Sequence, residues 1–126
     1  MDVKWEVIYY FGQDGSNLVE KYIDSLSIRE QAKTLAFIGL LEENGPNLPR
    51  PYADLLDDGI HELRIKLSGK QVRILYFFCY QNIIVLTNVI DKHSDKVPKE
   101  HINLAKERRI DFLIRFSKKD IKEKLL

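Results

Sequence analysis

The stretch from Ile60 to Lys99 constrains the fold more than any other part of the chain, because it holds most of the residues that predict β-strands. Between His61 and Leu67, three aliphatic side chains fall on one face of an extended chain and three charged side chains fall on the other. These are Leu63, Ile65 and Leu67 on the first face and Glu62, Arg64 and Lys66 on the second. This period of two predicts a half-buried β-strand.

Two further strands are predicted directly after this one. Ser68-Gly69-Lys70 forms a short turn signal, and Val72–Tyr80 follows it as a run rich in β-branched and aromatic residues. Gln81-Asn82 predicts a second turn before an apolar strand over Ile83–Ile90. The sequence therefore predicts a three-stranded antiparallel meander, with the polar segment 91–96 at its end.

The first third of the chain predicts one strand and two helices. Val3–Phe11 alternates in the manner of a strand, and Ser16 or Asn17 then provides an N-cap for a helix that ends near Leu26. The tetrapeptide Ser27-Ile28-Arg29-Glu30 has the capping-box pattern and opens a second helix. Two helices joined in this way form a helical hairpin with an apolar stripe to bury.

The second helix is predicted to stop at Gly45-Pro46, and a loop over Asn47–Asp58 follows it. A third helix is predicted over Lys99 to about Phe116, with Pro98 near its first turn. The inward residues predicted for the second helix are Ala32, Leu35, Ala36, Ile38, Gly39 and Leu41. Those predicted for the third helix are Ile102, Ala105, Ile110, Phe112 and Leu113.

The order of elements predicts an α+β fold in which an antiparallel sheet carries its helices on one side. A chain of 126 residues is of the length of one domain, so we expect residues 1–126 to form a single unit. Because 44% of the residues are hydrophobic and 31% are charged, the composition excludes wholesale disorder.

Charge and cysteine content narrow the classes of partner and compartment. The formal net charge is only +1, but the chain after Ile60 is basic, which suits RNA, DNA or an acidic protein, or else a solvated helix face. Cys79 is the single cysteine, so no intramolecular disulfide forms, and a buried structural thiol in a cytoplasmic protein is expected. No apolar run is long enough to span a bilayer, and no spacing of cysteine, histidine and acidic residues predicts a metal site or another cofactor.

The ordered set of motifs resembles the RelE/ParE toxin superfamily, in particular its phage-derived HigB-like branch. The resemblance covers nearly the whole chain and includes WEVIYY in the first strand, YIDSL in the first helix, RPYADLLDDGIHELRI and VRILYFF. The most specific part is the run Leu55, Gly59, Glu62, Leu63 and Arg64, followed by Arg73, Tyr76, Lys92 and Pro98.

This resemblance implies the RelE-like microbial RNase fold, with an N-terminal helical hairpin and a C-terminal helix. It also implies the toxin of a type II toxin–antitoxin system, which cleaves messenger RNA on the ribosome and so inhibits translation. The family uses no metal, and a ribose 2′-hydroxyl attacks the adjacent phosphate. The implied partner is a helix-turn-helix antitoxin of the HigA-like kind, and we expect the toxin itself to be monomeric.

Cleavage of this kind needs a base, cations for the charged phosphate and an acid for the leaving oxygen. Arg64 and Arg73 are the predicted phosphate clamps, because a guanidinium presents a planar fork to phosphate oxygens. Each of them could instead pair with an acid such as Glu62. Lys92 and His93 are the other predicted catalytic residues, and His93 stands where the family often has a second lysine.

Contacts to RNA beyond the reacting phosphate are predicted for a second set of residues. Tyr76 has a ring on which a base can stack, although an aromatic side chain in so apolar a strand also suits the core. Lys96, Arg108 and Arg109 are predicted to contact RNA phosphates, with a solvated surface as the alternative. His101 is expected to lie on the surface of the third helix.

Two other functions fit the same fold. One is a ParE-like poison of DNA gyrase that leaves RNA intact, and the other is a catalytically inactive protein that binds its antitoxin. The coexistence of Arg64, Arg73, Lys92 and His93 favours RNA cleavage over both. The chain offers no obvious general base, which is the main observation against it.

Overall fold

The computed structural model describes residues 4–91 and 96–126, and its centre is a five-stranded sheet in the order β1-β5-β4-β3-β2. The strands are β1 Glu6–Tyr9, β2 Ala53–Asp57, β3 Ile60–Leu67, β4 Lys70–Cys79 and β5 Ile83–Asp91. The helices are α1 Leu18–Ser25, α2 Ile28–Asn44, α3 Lys99–Arg115 and the short α4 Lys118–Asp120, which continues as a π-helical turn over Ile121–Leu125. A 3-10 turn, Gly45–Asn47, follows α2. The α+β fold class is confirmed, and the architecture agrees with a RelE-like fold.

The predicted meander is confirmed, since β3, β4 and β5 pair antiparallel in sequence order. Ser68 and Gly69 both have positive φ angles, 48° and 80°, as a two-residue hairpin with matching twist requires. The first strand is shorter than the predicted Val3–Phe11 and pairs parallel to β5, so the sheet is mixed and not purely antiparallel.

The predicted loop over Asn47–Asp58 is wrong in its second half, which forms strand β2. This strand pairs antiparallel with β3 and has an irregularity between Leu55 and Asp57. It is a short edge strand with two acidic residues, so it lacks the apolar run by which a strand is recognised in a sequence. Backbone pairing with β3 stabilises it instead.

Helices cover both faces of the sheet, so the prediction that they lie on one side is wrong. Val72, Ile74 and Tyr76 of β4 belong to the core cluster that includes residues of α1 and α2. Leu75 and Phe77 of the same strand belong to the cluster that includes residues of α3. The near-continuous apolar sequence of β4 is the reason, because a strand buried on both faces needs apolar side chains at successive positions.

The start of α2 is fixed as predicted. The Ser27 hydroxyl accepts a hydrogen bond from the Glu30 amide, and the Glu30 carboxylate accepts one from the Ser27 amide. The same carboxylate accepts a 2.6 Å hydrogen bond from the Ser68 hydroxyl. The capping box therefore also ties α2 to the hairpin between β3 and β4.

The inward faces of the long helices were predicted only in part. In α2 the buried residues are Thr34, Ile38 and Leu41, whereas Ala32, Leu35 and Ala36 are exposed. In α3, Ala105 and Phe112 are buried and Ile102 packs against them, whereas Ile110 and Leu113 are exposed. The helices rest on the sheet along narrower stripes than the apolar pattern suggested.

The part of the chain after α3 is anchored to the core. Ser117 and Asp120 form a second capping box that opens α4, and Ile121 is buried beneath it. The Tyr80 hydroxyl donates a 2.6 Å hydrogen bond to the Phe116 carbonyl. Within residues 4–91 and 96–126, no helix is long and apolar enough to cross a membrane.

Candidate active site

Two predicted site residues, Arg64 and Arg73, lie directly opposite each other on neighbouring strands. Arg64 of β3 pairs in register with Arg73 of β4, and both belong to the face of the sheet that α3 covers, because Leu75 of the same face of β4 packs in that cluster. Two central strands therefore hold both guanidiniums at one place. Their binding of a phosphate stays a prediction.

Glu62 of β3 joins these two arginines. Its Oε1 lies 2.7 Å from Nε of Arg64 and 3.8 Å from Nε of Arg73. The sequence predicts Glu62 only as an acid with which an arginine can pair. The signal that identifies it is its position two residues before Arg64, which in a strand places both side chains on the same face.

Burial raises the pKa of the Glu62 carboxyl above its ordinary value, and Arg64 and Arg73 oppose that shift by favouring the charged form. Asp54, which pairs in register with Glu62, adds to the rise. The side chain of Glu62 is only 4% exposed. Such an environment suits a carboxyl group that gives up and takes back a proton closer to neutral pH.

The two arginines differ in their access to solvent. The side chain of Arg64 is 35% exposed, whereas that of Arg73 is 2% exposed. A ligand on this face of the sheet can reach the Arg64 side chain directly. Arg73 contributes positive charge from within the sheet. This difference in exposure could not be predicted, because a strand pattern does not show how deeply each residue is covered.

Asn88 and His101 extend the polar part of this face toward α3. Asn88 of β5 lies in the same row of the sheet as Leu75 and Glu62, and its Nδ2 donates a 3.3 Å hydrogen bond to the His101 carbonyl. Among the described residues, neither Oδ1 of Asn88 nor Nε2 of His101 has a hydrogen-bond partner. His101 is half-buried and not the surface residue that the sequence suggested.

Two of the predicted catalytic residues, Lys92 and His93, lie outside the described residues. Asp91, directly before them, accepts a 3.2 Å hydrogen bond from the Tyr22 hydroxyl and lies 3.5 Å from Nζ of Lys70. Lys96 is exposed. Its predicted contact with RNA stays a prediction.

Tyr76 lies on the opposite face of the sheet from Arg73, because the two are separated by three positions on one strand. Its side chain is 1% exposed and stacks on His61 at a centroid distance of 5.3 Å. Burial raises the pKa of its hydroxyl well above the usual range. The ring has no free face for a base, so the structure places Tyr76 in the core and not beside the arginines.

The predicted RNA-binding arginines of α3 have partners within the protein. Nη1 of Arg108 donates a 2.6 Å hydrogen bond to the Thr87 carbonyl, and its guanidinium lies over the Tyr10 ring. Arg109 pairs with Asp58 at 2.9 Å. These contacts attach α3 to the sheet and to the turn between β2 and β3. Neither arginine belongs to the group formed by Glu62, Arg64 and Arg73.

In the part of the chain that the structure describes, no three histidine, cysteine, aspartate or glutamate side chains lie close enough together to bind a metal ion. Burial raises the pKa of Cys79 to about 12. This thiol therefore stays protonated at neutral pH, as the sequence predicted for a structural cysteine.

Comparison with known proteins identifies the family. No curated protein matches the chain significantly. The model of one protein family, described as phage-derived Gp49-like protein (DUF891), matches residues 21–109. The match covers all of α2, most of α3 and the strands β2 to β5. It therefore includes Glu62, Arg64 and Arg73. The chain therefore belongs to the phage-derived Gp49-like family, which is associated with the toxins of toxin–antitoxin systems.

Proposed function

We propose that this protein is the toxin of a type II toxin–antitoxin system and cleaves messenger RNA without a metal ion. Its place would be the HigB-like branch of the RelE/ParE superfamily. The observation that carries the proposal is the contact of one buried carboxylate, Glu62, with two arginines on the same face of the sheet. Membership of the Gp49-like family supports the toxin part of it.

Glu62 supplies the general base, for which the sequence alone offers no obvious candidate. Its carboxylate takes the proton of a ribose 2′-hydroxyl, and the 2′-oxygen then attacks the adjacent phosphorus. The bond from phosphorus to the 5′-oxygen breaks, which leaves a 2′,3′-cyclic phosphate and a 5′-hydroxyl. A base whose pKa is raised toward the working pH is efficient in this role.

The two arginines stabilise the charge that gathers on the phosphate during this attack. Arg64 is the accessible one and contacts a phosphate oxygen directly. Arg73 holds Glu62 in place and adds positive potential from within the sheet. Protonation of the departing 5′-oxygen is assigned to His93, with Lys92 as an electrostatic partner.

The substrate and partner are proposed from the resemblance and the family. The messenger RNA is cut while it lies on the ribosome, and translation stops as a result. A helix-turn-helix antitoxin of the HigA-like kind silences the toxin, which is monomeric when free and acts in the cytoplasm. Lys96 contacts RNA outside the reacting phosphate.

Induction in a bacterial host followed by primer extension on abundant messages tests this proposal. Wild-type protein should arrest growth and create new ends within coding regions, and Arg64→Ala should abolish both. Arg29→Ala removes an exposed arginine of α2 and should behave as wild type. Growth arrest with intact messages would contradict RNA cleavage and would direct attention to DNA gyrase.

A further inference from the structure

The outer edge of β1 borders a cleft of about 520 Å³ that the proposed catalytic cluster does not use. The cleft lies between this strand and the helices α1 and α2. Its lining includes Val7, Ile8, Tyr9, Glu20, Leu35 and Glu42. β1 is the first strand in the sheet order. Within residues 4–91 and 96–126 it pairs only with β5, so one of its two edges has no neighbouring strand in that part of the chain.

The cleft runs along the free backbone edge of β1. The amides of Glu6 and Tyr10 donate hydrogen bonds to carbonyls next to or within β5, so the even-numbered residues face that strand. Alternate residues of a strand direct their amide and carbonyl groups to opposite edges, which turns those of Val7 and Tyr9 outward. The Trp5 amide, at the start of this edge, bonds to the Glu42 carbonyl at 3.0 Å.

The floor of the cleft is apolar. Leu35 of α2 is 50% exposed although it lies within the cleft, and Ile38 beside it is 4% exposed. An exposed leucine above a buried isoleucine provides a shallow surface for an apolar side chain. This surface also accounts for the error in the prediction that Leu35 would be buried.

The charged residues of the cleft are acidic. Glu20 and Glu42 both line it, and neither has an ion-pair partner within 4 Å among residues 4–91 and 96–126. Burial raises the pKa of the Tyr9 hydroxyl, and Glu20 and Glu42 raise it further. A negative potential therefore covers the cleft, and it favours a cationic occupant.

We propose that the outer edge of β1 binds an extended basic segment of a partner protein as a sixth strand. The backbone groups of Val7 and Tyr9 pair with that segment, an apolar side chain of it rests on Leu35, and its lysines or arginines contact Glu20 and Glu42. Strand addition of this kind draws affinity from backbone hydrogen bonds and specificity from alternate side chains. The edge lies three strands from Glu62, so the inference goes beyond the proposed cleavage of RNA.

Nuclear magnetic resonance on the full isotope-labelled chain tests this proposal. The probe is a peptide of about seven residues, the length of an ordinary strand, in which valine and lysine alternate. The largest shifts are expected at the amides of Val7 and Tyr9. The double variant Glu20→Gln, Glu42→Gln should bind about tenfold more weakly, and Glu43→Gln, on the same helix but outside the cleft lining, should bind as wild type.

Three outcomes would overturn the proposal. One is equal binding of a peptide that alternates valine and glutamate, and another is a set of shifts centred on β2, the other free edge of the sheet. The third is the absence of shifts at any peptide concentration up to the millimolar range. A version of the valine–lysine peptide that is methylated on alternate backbone nitrogens keeps its charge but cannot form backbone hydrogen bonds with β1. Loss of binding on this methylation would support strand addition. Because RNA cleavage is not the readout, failure here leaves the proposed function untouched.

Discussion

Glu62 and Arg64 lie two residues apart on β3 and are 2.7 Å apart between Oε1 and Nε, yet the Glu62 side chain is 4% exposed and the Arg64 side chain 35% exposed. A buried acid thus anchors a cation that solvent can reach. The contact with Glu62 orients the Arg64 side chain, which stays partly open to solvent. Burial of Glu62 raises the pKa of its carboxyl, and the contact with Arg64 opposes that rise.

Replacement of Glu62 by glutamine should lower the rate of RNA cleavage by about 10²–10⁴-fold, because glutamine cannot accept the 2′-hydroxyl proton. Burial raises the pKa of Glu62, and the base acts when it is deprotonated. The wild-type rate should therefore rise with pH through that raised pKa. The variant should lose this limb of the pH profile, measured on a labelled oligonucleotide.

Glu107→Gln, which changes an exposed acid on α3, serves as the control and should retain both the rate and its pH dependence. If Glu62→Gln cleaved at the wild-type rate, Glu62 would be a structural partner of the two arginines and not the base.

The Trp5 side chain leaves no room for a side chain at Gly45. A methyl group there would overlap Nε1 of the indole, and the glycine has a φ angle of 52°. We expect Gly45→Ala to lower the free energy of unfolding by about 2–4 kcal/mol through overlap and backbone strain. Urea denaturation measures this difference.

Gly39 provides the matched control, since it lies within α2 and a methyl group there meets no atom within 4 Å. Gly39→Ala should raise the free energy of unfolding by about 0.5–1 kcal/mol. Equal stabilities for the two alanine variants would contradict the importance of the contact between Trp5 and Gly45.

Local signals in the sequence were enough to predict the meander and the start of α2. Alternation in β3, turn residues at Ser68 and Gly69, and the capping box at Ser27 and Glu30 each act between residues close in the chain. Because their physics is local, the structure agrees with them closely. Arg64 and Arg73 lie close together because they pair across the same hairpin.

Features that depend on contacts between distant residues could not be predicted in this way. β2 exists because β3 supplies its hydrogen bonds, and the role of Glu62 depends on a neighbour in the next strand. The burial of Arg73 and of Tyr76 is set by packing on opposite faces of β4. A period of two identifies two faces, but it does not say which helix covers each.

Cys79 should react slowly with thiol reagents in the folded protein. Burial raises its pKa to about 12, and only the thiolate is a good nucleophile, so at pH 8 we expect a rate on the order of a thousandfold below that of an ordinary cysteine. A colorimetric disulfide reagent measures it. The same protein in guanidinium chloride should react at the ordinary rate, and fast reaction of the native protein would contradict the predicted burial effect.

Arg108 should contribute to stability and not to RNA affinity. Its hydrogen bond to the Thr87 carbonyl and its contact with the Tyr10 ring join α3 to the sheet, so Arg108→Ala should lower the free energy of unfolding by about 1–3 kcal/mol. Lys122→Ala, at an exposed site in the last turn, should change stability little.

The affinity of folded Arg108→Ala for a short RNA, measured by fluorescence anisotropy at low temperature, separates the two roles. An affinity within about twofold of wild type is expected, because a guanidinium that already bonds to Thr87 offers few free donors to a phosphate. A tenfold loss of affinity at unchanged stability would instead support the RNA contact that the sequence predicted, and would mean that Arg108 exchanges its internal hydrogen bond for a phosphate when RNA binds.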